Sequence, residues 1–274
     1  MNSMKKLLIL LLLFVSFFGN AQRKLFQVNN QFNFVPQPVP FQAPSIATNG
    51  LVLYLDAANP ASYSGSGTTW TDLSPSNNVG TFVGPISYSS AEGGAIVFSG
   101  TSGSNDYVSV AHNASLNVTT AGTLSIWISP NSLTQLGLTN LIGRTIDGAG
   151  NGQSYYMYWT GGNITGIIQN GGVYKSISTP IPTVLGWYNY VFTWSNGFLN
   201  LYKNGISVAT PVASTISAQS LTTTVNIGGY IFGGAGGSNN TFNGKIPFVN
   251  IYNRELNATE VLNNFNAVKT RYGL

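Results

Sequence analysis

The chain has 274 residues, of which 7% are charged and 12% aromatic, and its formal net charge is +4. Low charge with many aromatics excludes a disordered chain, which needs the opposite balance, and the length suffices to bury a core. With no cysteine and a single histidine, His112, disulfides and a cysteine-linked lipid anchor are excluded and a zinc site nearly so, and the lack of any basic run or basic–aromatic stripe removes the footprint of a nucleic-acid partner.

Residues 1–21 read as a secretory signal peptide. Lys5 and Lys6 precede the apolar run LLILLLLFVSFF at 7–18, which is short for a bilayer span, and GNA at 19–21 offers small residues for cleavage before Gln22. Cleavage there takes eleven basic residues to nine against seven acidic, a balance of about +2. The mature chain is then expected to be secreted or held at an extracellular surface, with no membrane span left. Residues 22–48 carry Pro36, Pro38, Pro40 and Pro44. Alternate prolines fix φ and remove ladder donors, so this segment is expected to be an extended, semi-rigid arm.

From Leu51 the pattern changes to short apolar runs separated by Gly, Asn and Ser. Predicted strands are LVLYLD (51–56), AIVF (95–98), DYVSV (106–110), TLSIWIS (123–129), LIGRTI (141–146), SYYMYW (154–159), ITGIIQ (164–169), YKSIS (174–178), WYNYVFTW (187–194), FLNLYK (198–203), TVNIGGY (224–230) and KIPFVNIY (245–252). Many short β-rich runs with frequent turn signals predict an all-β sandwich or barrel over 49–274. Asn196-Gly197 and Asn204-Gly205 tolerate the positive φ that tight hairpins require. In WYNYVFTW, Tyr188, Tyr190, Phe192 and Trp194 share one face, while Trp187, Asn189, Val191 and Thr193 share the other. Both faces are partly apolar, so this strand belongs in the middle of a sheet.

Residues 251–274 read as one short C-terminal helix. Asn257 is a good N-cap, Glu260 can reach back to complete a capping box, and Leu256 can meet Val261 as a staple. Val261, Leu262, Phe265 and Val268 form an apolar stripe suited to docking on a sheet. Lys269 and Arg271 suit the negative end of the helix dipole.

Catalytic chemistry finds little footing. Glycoside hydrolysis needs two carboxyl groups roughly 5–10 Å apart, and the glutamates are Glu92 in a Gly-flanked loop and Glu255 and Glu260 at the final helix. His112 has no nucleophile motif beside it. No catalytic residue is assigned. Calcium, the one cofactor considered and not a required one, needs several oxygen ligands; the candidates are Asp56, Asp72 and Asp106, at strand ends or in Asn-rich loops. Capping of turns by Asp and Asn side chains is the competing role. Glycan binding would use aromatic platforms, and the candidates are Tyr63, Trp70, Tyr155, Tyr158 and Trp159. Alternation puts Tyr156 and Tyr158 on one face and Tyr155, Met157 and Trp159 on the other, so that one set is core and the other lines a sheet surface. Trp127, Trp187 and Trp194 are expected in the core.

Five pieces in order, GLVLYLDAANPASY, GGAIVFSGTSGSNDYVSV, GTLSIWISP, GWYNYVFTWSNGFLNLYKNGI and FNGKIPFVNIYNRELNATEVLNNF, resemble the laminin-G-like jelly rolls of the concanavalin-A-like lectin and glucanase superfamily. The resemblance covers residues 50–273 and implies an all-β, two-sheet antiparallel jelly-roll sandwich with one concave sheet and about 12 to 14 strands. By the same resemblance the loop around Asp72 is the place for calcium, although Ser99 and Pro247 stand where related versions carry acidic residues. It implies a non-catalytic binding or adhesion module for a surface glycan or protein. The ending is similar to that of phage virion proteins and bacterial surface proteins, so a virion decoration or host-attachment component, working as an oligomer or in a larger assembly, is the alternative. A glycan-cleaving enzyme is the third reading.

Overall fold

A computed structural model describes residues 26–28, 31–33, 45–101, 103–135, 137–144, 154–229 and 241–274. The chain divides into two compact units, Met1–Gln42 and Ala43–Leu274. In the first, strands Phe26–Val28 (β1) and Gln31–Asn33 (β2) pair antiparallel, where the sequence suggested only an extended arm. The signal-like residues 1–21 and the four prolines of the arm lie outside the described residues.

The second unit is an antiparallel two-sheet sandwich. Its strands are Leu51–Asp56 (β3), Thr69–Trp70 (β4), Gly80–Val83 (β5), Ser87–Ser89 (β6), Ala95–Ser99 (β7), Tyr107–Val110 (β8), Gly122–Pro130 (β9), Thr139–Arg144 (β10), Tyr155–Thr160 (β11), Asn163–Asn170 (β12), Val173–Pro180 (β13), Tyr188–Trp194 (β14), Gly197–Lys203 (β15), Ile206–Ser207 (β16), Val212–Ser214 (β17), Val225–Ile227 (β18) and Asn243–Tyr252 (β19). One sheet has eight strands in the order β13-β12-β11-β10-β18-β8-β5-β4. The other has nine, β16-β15-β14-β9-β19-β7-β6, with β17 beside β15 and β3 beside β19. The strand total exceeds the dozen or so expected because several margins are built from strands of two or three residues, too short to leave an apolar pattern.

β19 is the spine of the nine-stranded sheet. One side pairs with β9, while the other is shared by β7, facing Asn243–Ile246, and β3, facing Phe248–Tyr252. Pro247 sits at the changeover, where a missing N–H interrupts no ladder. Tight turns close the hairpins. Asn204-Gly205 has φ of 52° and 79°, and Gly161-Gly162 and Gly171-Gly172 have 55° and 90° and 55° and 88°. Positive φ at both central residues is the turn that matches strand twist. Asn196-Gly197 is different, because only Gly197 has positive φ, at 148°.

Two apolar clusters hold the unit together. The larger lies between the sheets and takes Tyr188, Tyr190, Phe192 and Trp194 from β14. The smaller lies on the outer face of the nine-stranded sheet and takes Trp127, Trp187, Val191, Phe248 and Tyr252 beneath the C-terminal helix Ala258–Val268. Trp127 and Trp187 are therefore buried as expected, but under the helix. The helix contributes Val261, Phe265 and Val268, and burial of side chains of this size stabilises by about 1.5–3 kcal/mol each. Phe265 stacks on Trp127 with ring centroids 5.5 Å apart, and Tyr272 stacks on Trp187 at 4.5 Å. Leu262 departs from the expected stripe and is 41% exposed.

The helix begins as its sequence dictates. The Glu260 amide donates to Asn257 Oδ1 at 3.0 Å, and the Asn257 amide donates to Glu260 Oε2 at 3.0 Å. Leu256 and Val261 are buried in the same cluster. The far end corrects the expectation for Arg271. The helix stops at Val268, and Arg271 lies in the following 3-10 turn Lys269–Tyr272, where Nη1 donates to Asp56 Oδ1 at 2.7 Å.

Candidate functional site

Alternation decides which of the candidate aromatics a ligand can reach. Tyr63, Trp70, Tyr155 and Trp159 all point into the cluster between the sheets and are buried. The Tyr155 hydroxyl is spent on the carbonyl of Leu116 at 2.7 Å, and burial pushes its phenol pKa upward. These four are structural. Only Tyr158 of the five lies on an outer face.

The candidate carboxylates do not fit a calcium cage. Both Asp72 oxygens are filled by protein donors: Oδ1 accepts the amides of Tyr54 and Ser74 at 2.7 and 2.8 Å, and Oδ2 accepts the Ser74 hydroxyl and the Asn78 amide, each at 2.7 Å. That is turn capping. Asp106 accepts from the Ser99 amide at 2.6 Å and from the Ser104 hydroxyl. Asp56 is engaged by Arg271 and by the Ala58 amide. Burial pushes the Asp56 carboxyl upward, and Arg271 pulls it back; burial lowers the guanidinium, while Asp56 and Tyr272 together raise it further, for a net upward shift. Among the described residues no three His, Asp or Glu side chains gather around one point. His112 lies at the surface, with Nδ1 hydrogen-bonded to Arg144 Nη2. Arg144 is buried and its remaining donors go to Leu116 O, Asn117 Oδ1 and Thr223 O. It is a structural clamp, and burial lowers its pKa.

The glutamates are likewise occupied. Glu92 pairs with Lys245 at 3.2 Å, Glu255 accepts from Asn200 Nδ2 at 3.0 Å, and Glu260 accepts two bonds from Arg254 at 2.6 and 2.9 Å. None of them lies on the eight-stranded sheet.

The outer face of that sheet carries the distinctive surface. Its inward residues, among them Val108, Ile142, Met157, Trp159, Ile164 and Ile227, belong to the core, so their neighbours in sequence face out. Register aligns those neighbours in rows. One row runs Thr81, Ser109, Asn226, Gly143, Tyr156, Ile167 across six strands. The adjacent row brings Asn140, Tyr158, Thr165 and Ser178 side by side. Neither row contains a charged residue.

Local contacts order this face. Tyr156 and Tyr158 stack with centroids 5.7 Å apart and planes 29° apart. Gly143 makes room for Tyr156, since a Cβ there would lie 2.1 Å from the Tyr156 Cβ. Thr165 Oγ1 and Ser178 Oγ are 2.9 Å apart, and Thr224 Oγ1 donates to Asn226 Oδ1 at 3.1 Å. Asn140 donates through Nδ2 to the carbonyls of Asn226 and Gly229, each at 3.1 Å, while its Oδ1 is buried without a protein partner. Burial raises the Tyr158 phenol, which keeps it neutral, with the Thr165 hydroxyl opposing that shift. The described residues of this face are hydroxyls, amides and an aromatic pair, all uncharged; Tyr156, Thr165, Asn226 and Asn140 are buried, while Tyr158 and Ser109 are half-buried and Ser178 is exposed. The alternation in YYMYW separated the two aromatic sets, but it carries no label saying which set is inside. Asn140, Asn226 and Thr165 come from strands distant in sequence, and only register brings them together.

Comparison with known proteins agrees with this architecture. A laminin-G family profile, described as the concanavalin A-like lectin/glucanases superfamily, matches residues 102–262. Among solved structures, domain 4 of AbnA, a GH43 extracellular arabinanase from Geobacillus stearothermophilus in complex with arabinotriose, is 17% identical, with a TM-score of 0.56 over 80% of this chain and 99% of that one. The binding domain of botulinum neurotoxin DC in complex with SialylT is 15% identical, with a TM-score of 0.63 over 81% of this chain and 52% of that one. The binding domain of Paraclostridial Mosquitocidal Protein 1 is 18% identical, with a TM-score of 0.61 over 80% and 52%. The chain thus spans about half the length of these toxin binding domains. At such identities the likeness is one of fold. No curated protein is similar to this chain in sequence.

Proposed function

Because the chain belongs to the concanavalin A-like lectin/glucanase superfamily, we propose that it is a non-catalytic binding module that holds an uncharged glycan on the outer face of its eight-stranded sheet. The observation that carries this reading is the half-buried Tyr158, stacked on the buried Tyr156 and set among uncharged hydroxyls and amides. A sugar ring presents an apolar C–H face and a rim of hydroxyls. Aromatic faces suit the first, and Ser, Thr and Asn side chains, which both donate and accept, suit the second. Among the described residues no cation lies in the two rows of this face, so nothing there favours a phosphate, sulfate or carboxylate.

Two further points support a binding role over cleavage. All three glutamates serve ion pairs or hydrogen bonds remote from this face. The similar structures include domains solved with arabinotriose or SialylT, the former belonging to an arabinanase. Fold alone does not confer a ligand, so the chemistry of the face carries the assignment. The signal-like residues 1–21 support action outside the cytoplasm, and among the described residues no helix is long and apolar enough to cross a membrane.

A glycan array probed with the purified chain tests the reading. Neutral oligosaccharides should bind, sulfated and sialylated ones should not, and Tyr158→Ala should abolish the signal while leaving the circular dichroism unchanged. Equal binding of charged glycans, or retention of the signal in Tyr158→Ala, would contradict it.

A further inference from the structure

Most margins of the sandwich end on strands of two or three residues: β4 closes one side of the eight-stranded sheet, and β16, β17 and β6 close the nine-stranded sheet. Two margins are longer: β3 pairs with β19 alone, but Asp72, Leu73, Ser62 and Asn78 occupy the backbone of its other edge, whereas β13, Val173–Pro180, has eight residues paired to β12 alone. A long, regular edge is a template for another strand.

Parity fixes what this edge offers. The Gly171-Gly172 turn makes Asn170 and Val173 the first pair of the hairpin, and the Ile181 amide donates to Gly162 O at 2.9 Å at the far end. Odd-numbered residues therefore bond to β12. The backbone N–H and C=O of Tyr174, Ser176 and Ser178 point away from the sheet, and no described residue engages them. Pro180 holds the next outward position, where its missing N–H breaks no bond within the chain. Val173 and Tyr174 stand 58% and 60% exposed on this margin.

We infer that β13 pairs antiparallel with β13 of a second copy of this chain, about a two-fold axis through Ser176, joining the two eight-stranded sheets into one. Outward residues must meet outward residues, so the axis falls on a residue and not between two. Centred on Ser178, the pairing would set Pro180 against Ser176 and lose a donor. Centred on Tyr174, it would run into the Gly171-Gly172 turn; centred on Lys175, it would oppose the two lysines and set Ser178 against the Gly172 turn; centred on Ile177, it would set Pro180 against Tyr174 and lose a donor. Centred on Ser176, Tyr174 of each copy meets Ser178 of the other and Ser176 meets its counterpart, each pair exchanging two hydrogen bonds. Lys175 then lies opposite Ile177 of the other copy, so the lysines are not opposed. The dimer stands apart from the glycan reading, and its consequence is a continuous face bearing two copies of the polar rows, which would raise avidity for a repeating ligand.

Single cysteines test it cleanly, because the chain has none of its own. Hydrogen-bonded antiparallel pairs hold their Cα atoms about 5.5 Å apart, within disulfide reach. Under mild oxidation Ser176→Cys should form a covalent dimer, whereas Ser178→Cys, about 14 Å from its counterpart at about 3.4 Å per residue, should not. The full chain should sediment at twice its own mass, and Ser176→Pro, which removes the axial N–H and leaves the β12 ladder intact, should sediment as a monomer. A monomeric wild-type chain at tens of micromolar, or Ser178→Cys cross-linking as fast as Ser176→Cys, would overturn the proposal.

Discussion

The two sheets present outer faces of opposite character. On the nine-stranded sheet, Trp127, Val191, Phe248 and Tyr252 point outward and are covered by the C-terminal helix. On the eight-stranded sheet, Ser109, Asn226, Tyr158 and Thr165 occupy the equivalent outward positions, and among the described residues no helix lies on them. Both faces follow from the same two-residue alternation. An apolar outer face must be covered, and this chain supplies the cover from its own C-terminus. A polar outer face needs no apolar cover; here Asn226 and Thr165 are buried, and Tyr158 and Ser109 stay partly exposed. On the proposed reading the difference gives stability to one face and recognition to the other, and that division can be broken experimentally.

The largest expected effect is on the covered face. Trp127→Ala removes the ring on which Phe265 and Tyr272 pack and should lose ~3–5 kcal/mol in chemical denaturation, with glycan affinity of the remaining folded protein unchanged. Arg271→Leu comes next. It leaves the buried Asp56 carboxylate without its counter-ion and should cost ~3 kcal/mol. Restored stability in Asp56→Asn combined with Arg271→Leu would show that the loss comes from the stranded charge.

On the polar face the expected balance reverses. Gly143→Ala forces a methyl group against Tyr156 and should cost ~1–2 kcal/mol of stability by overpacking, while lowering glycan affinity by displacing the aromatic pair. Unchanged binding in that variant would separate Tyr156 from recognition. The smallest effect concerns pH. The hydrogen bond from Arg254 holds the Glu260 carboxyl below its usual range, so the ionised form is favoured in the folded chain. That contribution is complete above the ordinary glutamate pKa of ~4.3 and fades as the pH falls below it. A pH series of denaturation midpoints should show a dip of ~0.5 kcal/mol on the acid side, removed in Glu260→Gln.

Local features were legible in the sequence. LVLYLD at 51–56 is β3 residue for residue, the Asn257–Glu260 capping box forms as written, and Asn204-Gly205 is a tight turn. Each depends on neighbours along the chain. What sequence left open depends on the other sheet. YYMYW shows two sets of aromatics, but the choice of inner set is made by what packs against it, here Trp194 stacking on Tyr155. Arg271 looked like a helix-end charge because its partner, Asp56, is 215 positions away. Asp72 looked able to bind a metal because the donors that fill it include the Tyr54 amide of a separate strand. The short strands β4, β6, β16 and β17 left no periodic signal at all.

Hydrogen exchange with and without the best-binding array glycan locates the ligand directly. Added protection should concentrate in Tyr155–Thr160 and Asn163–Asn170, the strands that carry Tyr156, Tyr158 and Thr165. Protection confined to the helix Ala258–Val268 or to the rim around Asp72 and Asp106 would contradict the assignment of recognition to the polar face.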